Sequence, residues 1–80
     1  MAVRNTPQDG DIVIRQESKQ GTVVYVLHTA PGPDQYLVRS REEAVAQAVR
    51  VAKRQCVRVW LTDEGYAFRL VEDFRVMEPA

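Results

Sequence analysis

Ser40-Arg41-Glu42-Glu43-Ala44-Val45-Ala46-Gln47-Ala48-Val49-Arg50-Val51-Ala52-Lys53-Arg54-Gln55 is the one stretch of this 80-residue chain that carries a helical repeat. Ser40 and Glu43 have the spacing of a capping box. The serine hydroxyl accepts from the Glu43 N–H, and the Glu43 carboxylate reaches back to the Ser40 N–H. Glu42 and Glu43 suit the positive end of the helix dipole, and Lys53 and Arg54 suit the negative end. Val45, Ala48, Val49, Ala52 and Cys56 fall on one stripe at spacings of three and four, which predicts a helix from Arg41 to Gln55 with Cys56 buried beyond it.

On both sides the repeat changes to strands. Asp11 to Gln16 alternates Ile12 and Ile14 against Asp11, Val13 and Arg15, a period of two. Thr22 to His28 is rich in β-branched and aromatic residues. Glu17 to Gly21 is read as a polar connection between them. Pro31, Gly32 and Pro33 break the chain before a short strand, Gln35 to Val38. After the helix, Cys56 to Thr62 and Tyr66 to Glu72 are strands around an Asp63-Glu64-Gly65 turn. The order β-β-β-α-β-β predicts an α+β fold, a mainly antiparallel sheet of four or five strands with one helix on one face. Residues 1–10 are expected to form a flexible arm, 11–74 a single domain and 75–80 a tail. Phe74, Val76 and Met77 can extend the sheet or pack beneath it. The opposite sheet face is left for water, a ligand or a second copy of the chain.

The register of the last hairpin decides where Trp60 points, and two registers compete. A two-residue Glu64-Gly65 loop pairs Trp60 with Arg69 and leaves Arg58, Trp60 and Arg69 on a polar face. A three-residue turn sets Trp60 beside Phe68 and Leu70 in the core.

The totals narrow the function classes. Net charge is zero, with 45% hydrophobic and 28% charged residues, which argues against a general polyanion binder. The single cysteine, Cys56, allows no internal disulfide and suits a reducing compartment. The N-terminus lacks the apolar core of a signal peptide, and no run reaches the length of a membrane span. A cytoplasmic protein is expected.

No catalytic residue, cofactor or metal site is expected. His28, the only histidine, has no cysteine or acidic partner at ligand spacing and is read as structural or exposed. Cys56 has no base nearby and is read as a small buried hydrophobe. The carboxylates are explained by the helix cap and the turn. No phosphate-binding glycine loop is present. No Asp or Glu occurs between Glu43 and Asp63. That interval makes Arg50, Lys53, Arg54, Arg58 and Trp60, joined by Arg69, the candidate binding surface. Cations beside an exposed aromatic suit phosphates and a stacked base. The competing reading is a solvated helix face.

From Tyr25 onward the order of features resembles a family of small bacterial domains of uncharacterised function. They share an early hairpin, a Ser/Thr-x-x-Glu-Ala helix start, an Ala- and Arg-rich helix and a closing hairpin with an acidic-Gly turn. Here these are Ser40 to Ala44, the AVAQAVRVAKRQ run and Asp63-Glu64-Gly65. The resemblance implies no catalytic residues. The hairpin-then-helix order is also similar to antitoxins that neutralise messenger-RNA-cleaving toxins by presenting a partial ribonuclease-H-like sheet to a partner. The leading expectation is a non-enzymatic binding or assembly module, homodimeric through the uncovered face. Nucleic-acid binding and an antitoxin-like role are the alternatives.

Overall fold

The computed structural model describes residues 6–30, 32–63 and 67–75. Expectations about residues 1–5, Pro31, Glu64, Gly65, Tyr66, Val76 and Met77 lie outside these. The elements are β1 (Ile12–Lys19), β2 (Thr22–Thr29), β3 (Asp34–Val38), α1 (Arg41–Gln55), β4 (Arg58–Asp63) and β5 (Ala67–Asp73). They form one five-stranded sheet in the order β3-β2-β1-β4-β5, with α1 between β3 and β4 in the chain.

β1 and β2 run longer than the alternation suggested, because the polar residues Glu17, Ser18 and Lys19 stay in the ladder and Lys19 pairs with Thr22. The connection shrinks to Gln20-Gly21, both at positive φ, 53° and 78°. This double left-handed turn matches the twist of a tight hairpin. β3 returns antiparallel to β2, with Tyr36 opposite Leu27 and Leu37 opposite Val26.

β4 then pairs with β1 in parallel, Ile12 opposite Val59 and Ile14 opposite Leu61. A parallel neighbour needs a long crossover, and α1 supplies it. The sheet is therefore mixed, with antiparallel pairing at its other three junctions.

α1 starts where the sequence predicts. The Glu43 N–H donates to Ser40 Oγ at 3.3 Å. At the other end Cys56 adopts a left-handed conformation, φ 60°, and the Val57 N–H turns back to the Ala52 carbonyl at 3.1 Å. The expected burial of Cys56 is thus corrected. It caps the helix, and its side chain is exposed, because the left-handed step takes it off the apolar stripe. The centre of that stripe is Ala44, Ala48 and Ala52, all fully buried at a spacing of four. They lie against Ile12, Ile14, Leu27, Val59 and Leu61. Val45, Val49 and Phe74 close the margins of this core, and the Phe74 N–H donates to the Val57 carbonyl at 3.0 Å. At the start of the expected tail, Arg75 donates to the exposed Asp73 carboxylate at 2.7 Å.

Two substitutions test this packing by urea denaturation. Cys56→Gly relieves a left-handed conformation that glycine adopts without strain, and it should raise stability by about 0.5–1 kcal/mol. Ala48→Leu forces extra methylenes between helix and sheet and should lower stability by about 1–3 kcal/mol.

Candidate functional site: the sheet face opposite the helix

Residues of alternate parity in β1, β2 and β4 project away from α1. The ladder sets His28 beside Val13 and Val13 beside Trp60. The next row is Val26, Arg15 and Thr62, continued by Phe68 on β5. Val13, Val26, Trp60 and Thr62 are all buried, Trp60 to 1% exposure. The expectation of an uncovered face is corrected accordingly: the middle of this face is closed within a single chain.

An acidic side chain organises the closure. Asp11 immediately precedes β1, and its carboxylate is buried. Asp11 Oδ1 accepts the Arg58 backbone N–H at 3.1 Å. Asp11 Oδ2 accepts Arg58 Nε at 3.1 Å, Trp60 Nε1 at 2.9 Å and the Gln8 N–H at 3.0 Å. The turn before β1 brings Gln8 there. Gly10 has φ 95° and donates to the Ala30 carbonyl at 2.7 Å, while the Asp11 N–H returns to the Gln8 carbonyl at 2.9 Å. Gln8 and Gly10, within the expected arm, are thus hydrogen-bonded into this turn.

The Arg58 guanidinium lies over the Trp60 ring, 4.8 Å from its centroid, and Phe68 meets that indole edge-on at 6.5 Å. Burial pushes the Asp11 carboxyl pKa upward. The hydrogen bonds from Gln8, Trp60 and Arg58, with the Arg58 charge, outweigh it and hold the carboxyl below its ordinary value.

Beside this cluster lies a cleft of about 470 Å³. Val13, Thr62 and Phe68 line the sheet side. Arg15, His28, Ala30, Pro7 and Thr6 line the rim. His28 is half-buried, with Nδ1 3.3 Å from the Thr29 carbonyl. Arg15 forms an ion pair with Glu17.

The candidate surface read from sequence is divided by this arrangement. Arg50, Lys53 and Arg54 are exposed on α1. Arg58 and Trp60 are in the interior, because the Asp11 carboxylate draws both inward. Arg69 is exposed on β5 opposite Leu61, with the helix-side parity. The hairpin pairs Trp60 with Leu70 and Thr62 with Phe68, and Val71 is the extra residue of a bulge. Trp60 is therefore beside Phe68 and Leu70, as in the three-residue alternative, although the register is shifted by two from that turn.

The sequence reading missed Asp11, Thr62 and Phe68 as a group. The available signal was an acidic residue directly before an apolar strand, where solvation alone does not explain it. Among the described residues no cluster of His, Cys, Asp or Glu is arranged to hold a metal ion, and no helix is long and apolar enough to cross a membrane. No family model matches the chain, and the searches of curated proteins and of solved structures likewise found no match.

The Asp11 cluster gives a pH prediction. A carboxyl held below its unfolded value of 3.8 stabilises the fold fully above that value and loses this contribution as pH falls through the lower, folded value. Acid titration should show wild-type stability dropping below about pH 4. Asp11→Asn should lower stability near neutral pH by about 3 kcal/mol, because it leaves Arg58 buried without its counter-charge. It should also flatten the acid limb.

Proposed function

We propose that this chain is a non-enzymatic binding and assembly module that self-associates through the free edge of β3. The observation that carries this reading is the chemistry of that edge. β3 has charge only at its ends, Asp34 and the following Arg39. Between them Gln35 to Val38 has no charged residue and no proline, and Tyr36 and Leu37, on opposite faces, are 47% and 55% exposed. Free edges are normally blunted by charge, bulges or cover. The β5 edge has such devices, with Arg69, Glu72 and Asp73 along it and the bulge at Val71. β3 is bulged only near its start, between the Leu27 and His28 pairings. A second copy added antiparallel about a two-fold axis places Leu37 near its own counterpart on one face and the tyrosines on the other. Such pairing is self-complementary and supplies main-chain hydrogen bonds. The non-enzymatic part of the reading is supported by Asp11, the one buried carboxylate among the described residues, which is committed to four donors.

Nucleic-acid binding is the second reading, supported by the exposed cations Arg50, Lys53 and Arg54. With Trp60 interior it reduces to phosphate contact without base stacking, and any binding should weaken steeply with salt. An antitoxin-like role uses the β3 edge differently, with a toxin strand in place of the second copy.

Light scattering coupled to size exclusion discriminates among these. The assembly reading expects a dimer whose fraction rises with concentration. Leu37→Lys should return it to a monomer with unchanged circular dichroism, since the side chain is exposed. A wild-type monomer at the highest attainable concentration would sink self-association. A stoichiometric complex between that monomer and a toxin would favour the antitoxin reading.

A further inference from the structure

We propose that the cleft beside Trp60 binds a small neutral aromatic molecule of one or two rings that carries a single hydroxyl or ring N–H. The inference is independent of the β3 edge, since no residue of β3 lines the cleft.

Three observations converge on it. The first is size. A cavity of roughly 150 Å³ suffices to hold benzene. At about 470 Å³ this cleft admits one or two rings, with water at its open side. The second is its apolar lining, with Val13 and Phe68 on the sheet side and Pro7 and Ala30 at the rim. The third is a polar atom without a use in the fold. Thr62 is 2% exposed and lines the cleft. Its Oγ1, closed to solvent in this conformation, has no hydrogen-bond partner among the described residues, so a turn about the Thr62 Cα–Cβ bond is what brings it to a ligand. A buried hydroxyl left unpaired is costly, and a ligand atom that pairs with it removes that cost. The hydroxyl both donates and accepts, so it can meet either a phenol oxygen or a ring N–H. His28 stands at the same cleft. With the proton on Nδ1, toward the Thr29 carbonyl, Nε2 is an acceptor for a ligand O–H or N–H.

The electrostatics select against an anion. Among the described residues Arg15 is the one cation lining the cleft, and its guanidinium is already engaged by Glu17, which Lys19 also approaches at 3.7 Å. A carboxylate would be desolvated against apolar walls and would have to compete with Glu17 for that cation, so a neutral ligand is preferred.

Amide chemical-shift titration of the full chain tests the proposal with four probes, indole, p-cresol, toluene and 4-methylbenzoate. Indole and p-cresol should give saturable shifts centred on Val13, His28, Thr62 and Phe68. Toluene lacks the polar group and should bind about five- to tenfold more weakly than p-cresol. 4-Methylbenzoate should also bind more weakly. Thr62→Val keeps the shape and removes the hydroxyl, so it should bring p-cresol down to the level of toluene. Ala30→Phe fills the rim and should abolish binding of every probe in a chain whose spectrum stays dispersed. Shifts absent up to probe solubility, or centred away from the cleft, would overturn the site. Equal binding of toluene and p-cresol to the wild type would overturn the assignment of Thr62, and preference for 4-methylbenzoate would overturn the neutral class.

Discussion

The Asp11 carboxylate is the constraint from which the rest of this sheet follows. It receives hydrogen bonds from Gln8, Arg58 and Trp60, and the latter two are 47 and 49 residues away in the chain. Hairpins set their own register through the turn, but a parallel pair has no turn to set it. β1 and β4 are such a pair. A slip of one residue would send the Trp60 indole and the Arg58 guanidinium to the helix side, where Ala44, Ala48 and Ala52 leave them neither space nor an acceptor. A buried carboxylate also tolerates few alternatives, because a donor withdrawn from it leaves an unpaired charge. The ion pair is better read as a register lock for β1 and β4 than as a source of net stability.

The same lock explains where this small protein is closed and where it is open. With Trp60 fixed over the middle of the second face, Arg58 and Phe68 pack against its ring. Apolar surface is then displaced to the margins, to Tyr36 and Leu37 on β3 and to Leu70 on β5. The turn at Asp9-Gly10 is held to the same carboxylate through Gln8, which brings Pro7 to the rim of the cleft. Cleft and lock are therefore mechanically joined. The wall residues Val13 and Thr62 flank the pairing that Asp11 fixes, and the rim belongs to the segment that Asp11 tethers.

Much of this was legible in the residues. The boundaries of α1, its serine cap and the order of the strands follow from local chemistry, because caps, periodicity and β-branching act over a few residues. The parallel pairing of β1 with β4 was not legible, since no local pattern distinguishes it from an antiparallel neighbour. Cys56 was misplaced because it fits the apolar spacing of the helix, and spacing cannot register the left-handed residue that ends it. Arg58 and Trp60 looked like a binding pair for a related reason. A cation beside an aromatic is the same in sequence whether it faces solvent or stacks in a core, and the deciding partner lies in another strand. The cleft was invisible to the sequence because its walls come from β1, β2, β4, β5 and the segment before β1.

The composition of the helix shows why the second face could not stay open. Its buried positions are alanines, which bring it close to the sheet but remove little apolar surface from water. A chain of this size buries only about 60% of its unfolded surface in any case. The largest fully buried side chain, Trp60, is on the other face. Its indole N–H cannot be buried there without an acceptor, so the tryptophan requires Asp11. The charge on Asp11 in turn requires Arg58, whose guanidinium stacks on the same ring. Each member of this trio makes the burial of the next tolerable. Removing the polar members would strand the aromatic, and removing the aromatic would expose the centre of the sheet. Recognition is therefore confined to the places the trio does not fill, the free strand edge and the cleft at its border.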